Sequence, residues 1–293
     1  MSAAPRLYFI DALRAFAILM MLQGHFISGL LDPVFKDPDN PIYSFWLYCR
    51  GFTAPVFFTI TGWVFTFLLL RNTTEGWNNP KGLIVIGVEF RNIGGVQGNH
   101  PFPAGLNDCY AALKWVNDQK ETLGISKVIV SGESGGGNLS LATTLKAKKE
   151  NALHLIDGVF AQCPYISNQY AEPEKSNLPS LLENDKYVIN VEAMNIMASM
   201  YDGASSDNPL AWPYYANQED LRGLPPHVVY VNELDPLRDE GIAYHEKLNI
   251  AKVASDLVTL KGTVHAAEGL FPTQLPEIHQ QVQNHIKDFA ESL

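Results

Sequence analysis

The stretch Lys127-Val-Ile-Val-Ser-Gly-Glu-Ser-Gly-Gly-Gly-Asn138 is a short β-branched run ending in a glycine-flanked serine. It predicts a strand at Lys127–Ser131, a sharp turn at Gly132-Glu133-Ser134-Gly135-Gly136 and a helix from Asn138 to Lys149. Such a turn is a nucleophile elbow. It holds its serine in a strained backbone conformation, and glycines two positions to either side remove collisions between strand and helix. The hydroxyl of Ser134 is lifted above the sheet, and the Gly135 N–H falls at a helix N-terminus, where it can donate to a developing oxyanion.

A serine hydroxyl is a weak nucleophile at neutral pH and needs a histidine base oriented by a carboxylate. Downstream, His227-Val-Val-Tyr-Val-Asn232 reads as a buried strand running into a loop that carries Asp235. Asp256–Leu260 reads as a further strand, with His265 just past its end. Loops beyond the carboxyl ends of parallel strands are where such sheets place their sites. Of the eight histidines, His279 and His285 lie in an amphipathic terminal helix, His227 opens a strand and His245 lies in a helical stretch. His100 and His154 fall in loop or helix-end contexts, and His25 is far upstream in an apolar segment. Asp239 rivals Asp235, but it falls in the helix expected after Pro236. Ser134, Asp235 and His265 are therefore the expected catalytic set, with Gly135 as oxyanion donor.

From about residue 82 to residue 293 the chain resembles the hormone-sensitive-lipase-like family of α/β-hydrolases. The resemblance rests on His100-Pro-Phe-Pro-Ala-Gly-Leu-Asn-Asp108, Gly132-Glu-Ser-Gly-Gly-Gly-Asn138, Gly223-Leu-Pro-Pro226, Asn232-Glu-Leu-Asp-Pro-Leu-Arg-Asp-Glu-Gly241 and His265. Serine, acid, histidine is also that fold's chain order. The resemblance implies carboxylic-ester hydrolysis with Ser134 as nucleophile, His265 as base and Asp235 as its partner. One family feature is missing: no His-Gly-Gly-Gly run occurs in the chain, and Gly94-Gly95 follows the predicted strand Gly82–Phe90, in the wrong connection. The family's N-terminal cap segment and first strands are likewise not recognisable, and the absent glycine run leads us to expect an impaired oxyanion hole.

The first seventy residues differ in texture. Ala15–Leu22 is an unbroken apolar run set within Ala12–Leu31, which Arg14, Gln23 and His25 interrupt, and Gly51–Leu70 is twenty residues without a charge, between Arg50 and Arg71. Twenty such residues can span a bilayer, so 12–31 and 51–70 form a candidate hydrophobic helical hairpin and a candidate means of membrane association. The stretch Arg6–Met21, followed by His25 and Ala54–Gly62, resembles the opening two helices of polytopic membrane acyltransferases. Residues 1–71 thus read as a hydrophobic segment, Asn72–Lys81 as a polar linker and 82–293 as the hydrolase-like domain. One reading of this arrangement is a chain joining pieces of two genes.

The remaining strands are expected at Gly158–Ala161, His227–Asn232 and Asp256–Leu260, alternating with helices as in a parallel α/β sheet. Leu106–Glu121 reads as a helix with Tyr110, Leu113, Trp115 and Val116 on its core face, and Leu275–Leu293 as a helix packing across the sheet. Leu178–Tyr201 reads as helical cap material whose Met194, Met197 and Met200 serve core packing or line an acyl pocket. A formal charge of −10 with no basic run argues against nucleic-acid binding. Cys49, Cys109 and Cys163 are widely spaced, which suits a reducing compartment and gives neither a disulfide framework nor a zinc motif. No cofactor motif is present, and a small-molecule ester is the expected partner.

Overall fold

The computed structural model describes residue 40 and residues 84–93, 98–202 and 206–293. The chain divides into two units, Met1–Leu83 and Ile84–Leu293, and the second holds every strand and helix among the described residues. The apolar segments 12–31 and 51–70, the linker 72–81 and the pair Gly94-Gly95 lie outside the described residues. Among the described residues no helix is long and apolar enough to cross a membrane.

Four strands among the described residues form a parallel sheet in the order β1 (Ile129–Glu133), β2 (Gly158–Gln162), β3 (His227–Asn232) and β4 (Ser255–Leu260). Sequential order in a parallel sheet requires a crossover between each pair, and helices supply it. Helix α1 (Ala104–Asp118) precedes β1, and α2 (Gly135–Lys149) follows it. Helix α3 (Val191–Tyr201) lies in the long β2–β3 connection, α4 (Arg238–Ile250) follows β3, and α5 (Pro276–Ser292) closes the chain. Strands β2 and β3 are the central pair, and β3 is buried at all six positions. That is why it reads as a continuous apolar run rather than an alternating one.

Each face of the sheet has its own core. Helices α1, α2 and α4 bring Tyr110, Leu113, Leu141, Leu145, Tyr244 and Leu248 onto Val159 and Ala161. On the other face α5 lays Val282 and Phe289 against Phe160, Val228, Tyr230 and Leu260. A Cβ on Gly158 would come within 2.8 Å of the Phe289 ring, so glycine at the start of β2 lets this helix close down.

Three expectations are corrected. Residues 84–90 form no strand: they find no strand partner among the described residues, and Ile84, Val85, Ile86 and Val88 stay exposed, Val85 at 66%. An apolar β-branched run becomes a strand only where a neighbour takes up its backbone groups. Leu178–Tyr201 is two pieces, a single turn at Ser180–Glu183 and α3, because Lys186 and Val188 between them have φ of 70° and 74°. Trp115 is 53% exposed, while Tyr110 and Leu113 hold the core face of α1. Among the methionines, Met194 packs with Trp212, Leu181 and Leu237, whereas Met197 and Met200 are exposed.

Candidate active site

Strand β1 ends at Glu133 and α2 begins at Gly135, so the whole reversal of direction falls on Ser134. Its φ of 56° and ψ of −116° are strained for any residue with a side chain. Hydrogen bonds impose that geometry. The Ser134 N–H donates to the Gln162 carbonyl (2.9 Å), and the Ser134 carbonyl accepts from the N–H groups of Tyr165 (3.1 Å) and Asn138 (3.0 Å). A Cβ on Gly132 would lie 2.2 Å from the Gly136 carbonyl oxygen, so no side chain fits there. The expected collision at Gly136 is not found, since a Cβ there meets nothing within 4 Å. The second close approach belongs to Gly137, 3.0 Å from Pro164. Strand and helix thus cross at one point, and only the strand-side glycine relieves it.

The expected acid, base and serine come together. Ser134 Oγ lies 3.0 Å from His265 Nε2, and His265 Nδ1 lies 2.8 Å from Asp235 Oδ2. The buried carboxylate accepts the Nδ1 proton, which leaves Nε2 of the neutral ring to accept from the serine hydroxyl. Asp235 is fully buried, and its other oxygen accepts from the Leu237 N–H (2.9 Å). Burial pulls the His265 pKa down, but the hydrogen bond and charge of Asp235, with further contributions from Glu133 and Glu268, outweigh it and raise it. Gly135 is the first residue of α2, where N–H groups have no partner within the helix.

The rivals are engaged elsewhere. Asp239 lies in α4, where it accepts from the Ser180 N–H and from Arg238. His245 pairs with Ser255, His279 with the Glu268 carbonyl and His285 with Tyr230. His227 is buried against the Pro225 carbonyl, and desolvation lowers its pKa to about 4. His25 lies outside the described residues.

Several supporting residues escaped the sequence reading. Asn232, the last residue of β3, donates to Thr263 Oγ1 and to Glu268 Oε2, both at 2.9 Å, and accepts from the Ala266 N–H at 3.3 Å. It therefore clamps the segment on both sides of His265. Asn184 donates to the carbonyl of Asp235 (3.1 Å), and Glu233 accepts from the Gly262 N–H (2.7 Å). Asn138 donates to the carbonyls of Tyr165 and Ala211, tying the elbow helix to the β2–β3 connection. Buried Glu240 accepts from the N–H and hydroxyl of Ser167, the Ile166 N–H and the Tyr170 hydroxyl. A polar residue ending an otherwise apolar strand, as Asn232 does, is a signal that could have flagged the first of these.

A family model described as the alpha/beta hydrolase fold matches residues 82–268, more than half of the chain. The chain belongs to this family. Among solved structures, the α/β-hydrolase unit is similar to brefeldin A esterase, a bacterial homologue of human hormone-sensitive lipase. That likeness has a TM-score of 0.67 and 48% identity, and it covers 69% of this chain and 57% of that one. Esterase Est22 with p-nitrophenol gives a TM-score of 0.61 at 39% identity, covering 65% of this chain and 56% of that one. The arylesterase of Saccharolobus solfataricus is 34% identical over 66% of this chain and 60% of its own length. Esterase LipI of Mycobacterium tuberculosis is 31% identical over 64% of this chain and 56% of its own. The chain thus spans little more than half the length of these relatives. A second model, described as an acyltransferase domain, matches residues 7–83, in keeping with the resemblance of the first segment to membrane acyltransferases.

Proposed function

We propose that residues 82–293 act as a serine carboxylesterase on small to medium carboxylic esters. The observation that carries this reading is the hydrogen-bonded chain from Ser134 Oγ through His265 to Asp235, at 3.0 and 2.8 Å. Ser134 attacks the ester carbonyl while His265 Nε2 takes its proton, and the buried Asp235 carboxylate stabilises the imidazolium that forms. The Gly135 N–H donates to the oxyanion. His265 then protonates the departing alkoxide, and water, activated by the same ring, releases the acid from the acyl-serine. The esterase names of the relatives support the substrate class. With no His-Gly-Gly-Gly run in the chain, turnover is impaired: one missing oxyanion donor costs about a hundredfold to a thousandfold.

The second reading is a hydrolase-like binding domain with little turnover, tethered to a membrane by residues 12–31 and 51–70 as a two-helix anchor, with 72–81 as linker. The same missing glycine run favours it, as does the charge-free stretch Gly51–Leu70. Burst and steady-state hydrolysis of a short-chain p-nitrophenyl ester by the whole chain, beside Ser134→Ala, separates the two. The esterase reading expects turnover that Ser134→Ala abolishes. Equal rates from both proteins would leave the binding domain.

A further inference from the structure

Cys163 stands beside the triad without a part in the acyl-transfer chemistry. It follows the last residue of β2 with φ 33°, a left-handed conformation in which a side chain is uncommon, and its N–H donates to the Tyr230 carbonyl at 2.8 Å. One ligand atom from each of Cys163, Asp235 and His265 lies within 4.8 Å of the other two, and all three residues are buried. Thiolate, imidazole and carboxylate form a ligand set suited to zinc and softer divalent cations. We propose that these three side chains bind a thiophilic divalent cation, and that its binding silences the triad.

Donor atoms in a tetrahedral shell of this kind lie about 3.5 Å apart, so the observed cluster closes on a cation by moving roughly 1 Å. The surroundings favour positive charge. The thiol is pushed well up by burial and by the carboxylates of Asp235, Glu133 and Glu268, and a cation reverses the penalty on its anion. On binding, the thiol proton passes to solvent; where Nδ1 is the ligand its proton moves to Nε2, so the ring stays neutral, and nothing is oxidised or reduced. Both ring nitrogens are already in use, Nδ1 with Asp235 and Nε2 with Ser134. Coordination at either one breaks a hydrogen bond that the relay needs. Silencing of turnover rests on the esterase reading, whereas cation binding does not.

The test is titration of the whole metal-free protein with Cd2+, read by cadmium–thiolate charge-transfer absorption, with Zn2+ as competitor. The expected result is one equivalent bound, displaced by zinc. Cys163→Ser and Cys163→Ala should each weaken binding more than about a hundredfold, beyond the loss typical of a supporting residue alone. A Cys49→Ser/Cys109→Ser double variant should bind as the wild type does, and circular dichroism of the metal-free variants separates site loss from misfolding. Ester hydrolysis should fall with the same midpoint as the absorption rises, and the Cys163 variants should hydrolyse at the same rate with and without the cation. Absorption that persists in the Cys163 variants overturns the site. Saturation that leaves hydrolysis unslowed overturns the silencing, and a protein without ester turnover still yields the binding result.

Discussion

Asn232→Ala removes the clamp on the His265 segment without touching the triad. The side chain makes a neutral hydrogen bond to Thr263 Oγ1, a charge-assisted one to Glu268 Oε2 and a longer one from the Ala266 N–H. A neutral bond is worth about 1 kcal/mol, a bond to a charge about 1.5–3, and the long contact less, so the variant should lose about 3–4.5 kcal/mol. Glu268 sets the size of the effect. It is 2% exposed, and Oε1 already has no hydrogen-bond partner among the described residues, so losing Asn232 leaves a buried carboxyl without a donor on either oxygen. Urea unfolding should show a lower midpoint with an unchanged slope. A double-mutant cycle with Glu268→Gln should return a coupling of about 0.5–2 kcal/mol, because the glutamine oxygen still accepts from Asn232 and only the excess of the charge-assisted bond over a neutral one is lost. For ester hydrolysis, kcat should fall about tenfold or more as His265 loses its placement, with KM changed less than about twofold. A destabilisation under about 1 kcal/mol, or two substitutions that simply add, would refute the clamp.

Gly132→Ala should cost about 3 kcal/mol or more, since its Cβ would sit 2.2 Å from a carbonyl oxygen. Gly136→Ala, with open space around it in a helix, should be neutral or stabilising by up to about 1 kcal/mol, and thermal melts of the pair check the asymmetry. In the proposed esterase mechanism His265 acts as base only when neutral, and its pKa is raised, so the acid limb of kcat/KM should fall above the ordinary histidine value of about 6.5. Ser167→Ala should leave that limb in place. Burial raises Glu240 to about 7, its four donors offsetting part of the effect. The folded state therefore holds a proton that the unfolded chain has released. The stabilisation from that proton is complete below about pH 4.5 and is lost as pH rises through 7, at up to about 1.4 kcal/mol per pH unit. Glu240→Gln should flatten this dependence, as denaturant midpoints across pH 4–8 would show.

The local patterns proved most legible where chemistry and backbone are linked at short range. Glycines around Ser134, a β-branched run before it and a helix after it announce an elbow because the strained turn tolerates few other residues. Asp235 and His265 could be chosen because each directly follows a run readable as a buried strand. Contacts between distant segments were not legible. Residues 84–90 look like a strand by composition, yet the structure leaves them without a strand partner among the described residues, since pairing depends on what lies alongside. Likewise Trp115 is apolar and on period, but whether that period faces a core is settled by the neighbours of α1.

The parallel α/β class, the four strands from β1 to β4 and the candidacy of Ser134, Asp235 and His265 were readable along the chain, because hydrophobic periodicity and turn chemistry are properties of neighbouring residues, whereas the order of the strands in the sheet was not. It took the folded chain to show that these three residues meet at hydrogen-bonding distance, that Asn232 clamps the segment around His265, and that Cys163 lies beside the acid and the base. The triad contacts alone join residues 30 and 131 positions apart, and chain separation carries no distance until the sheet has fixed where each strand ends.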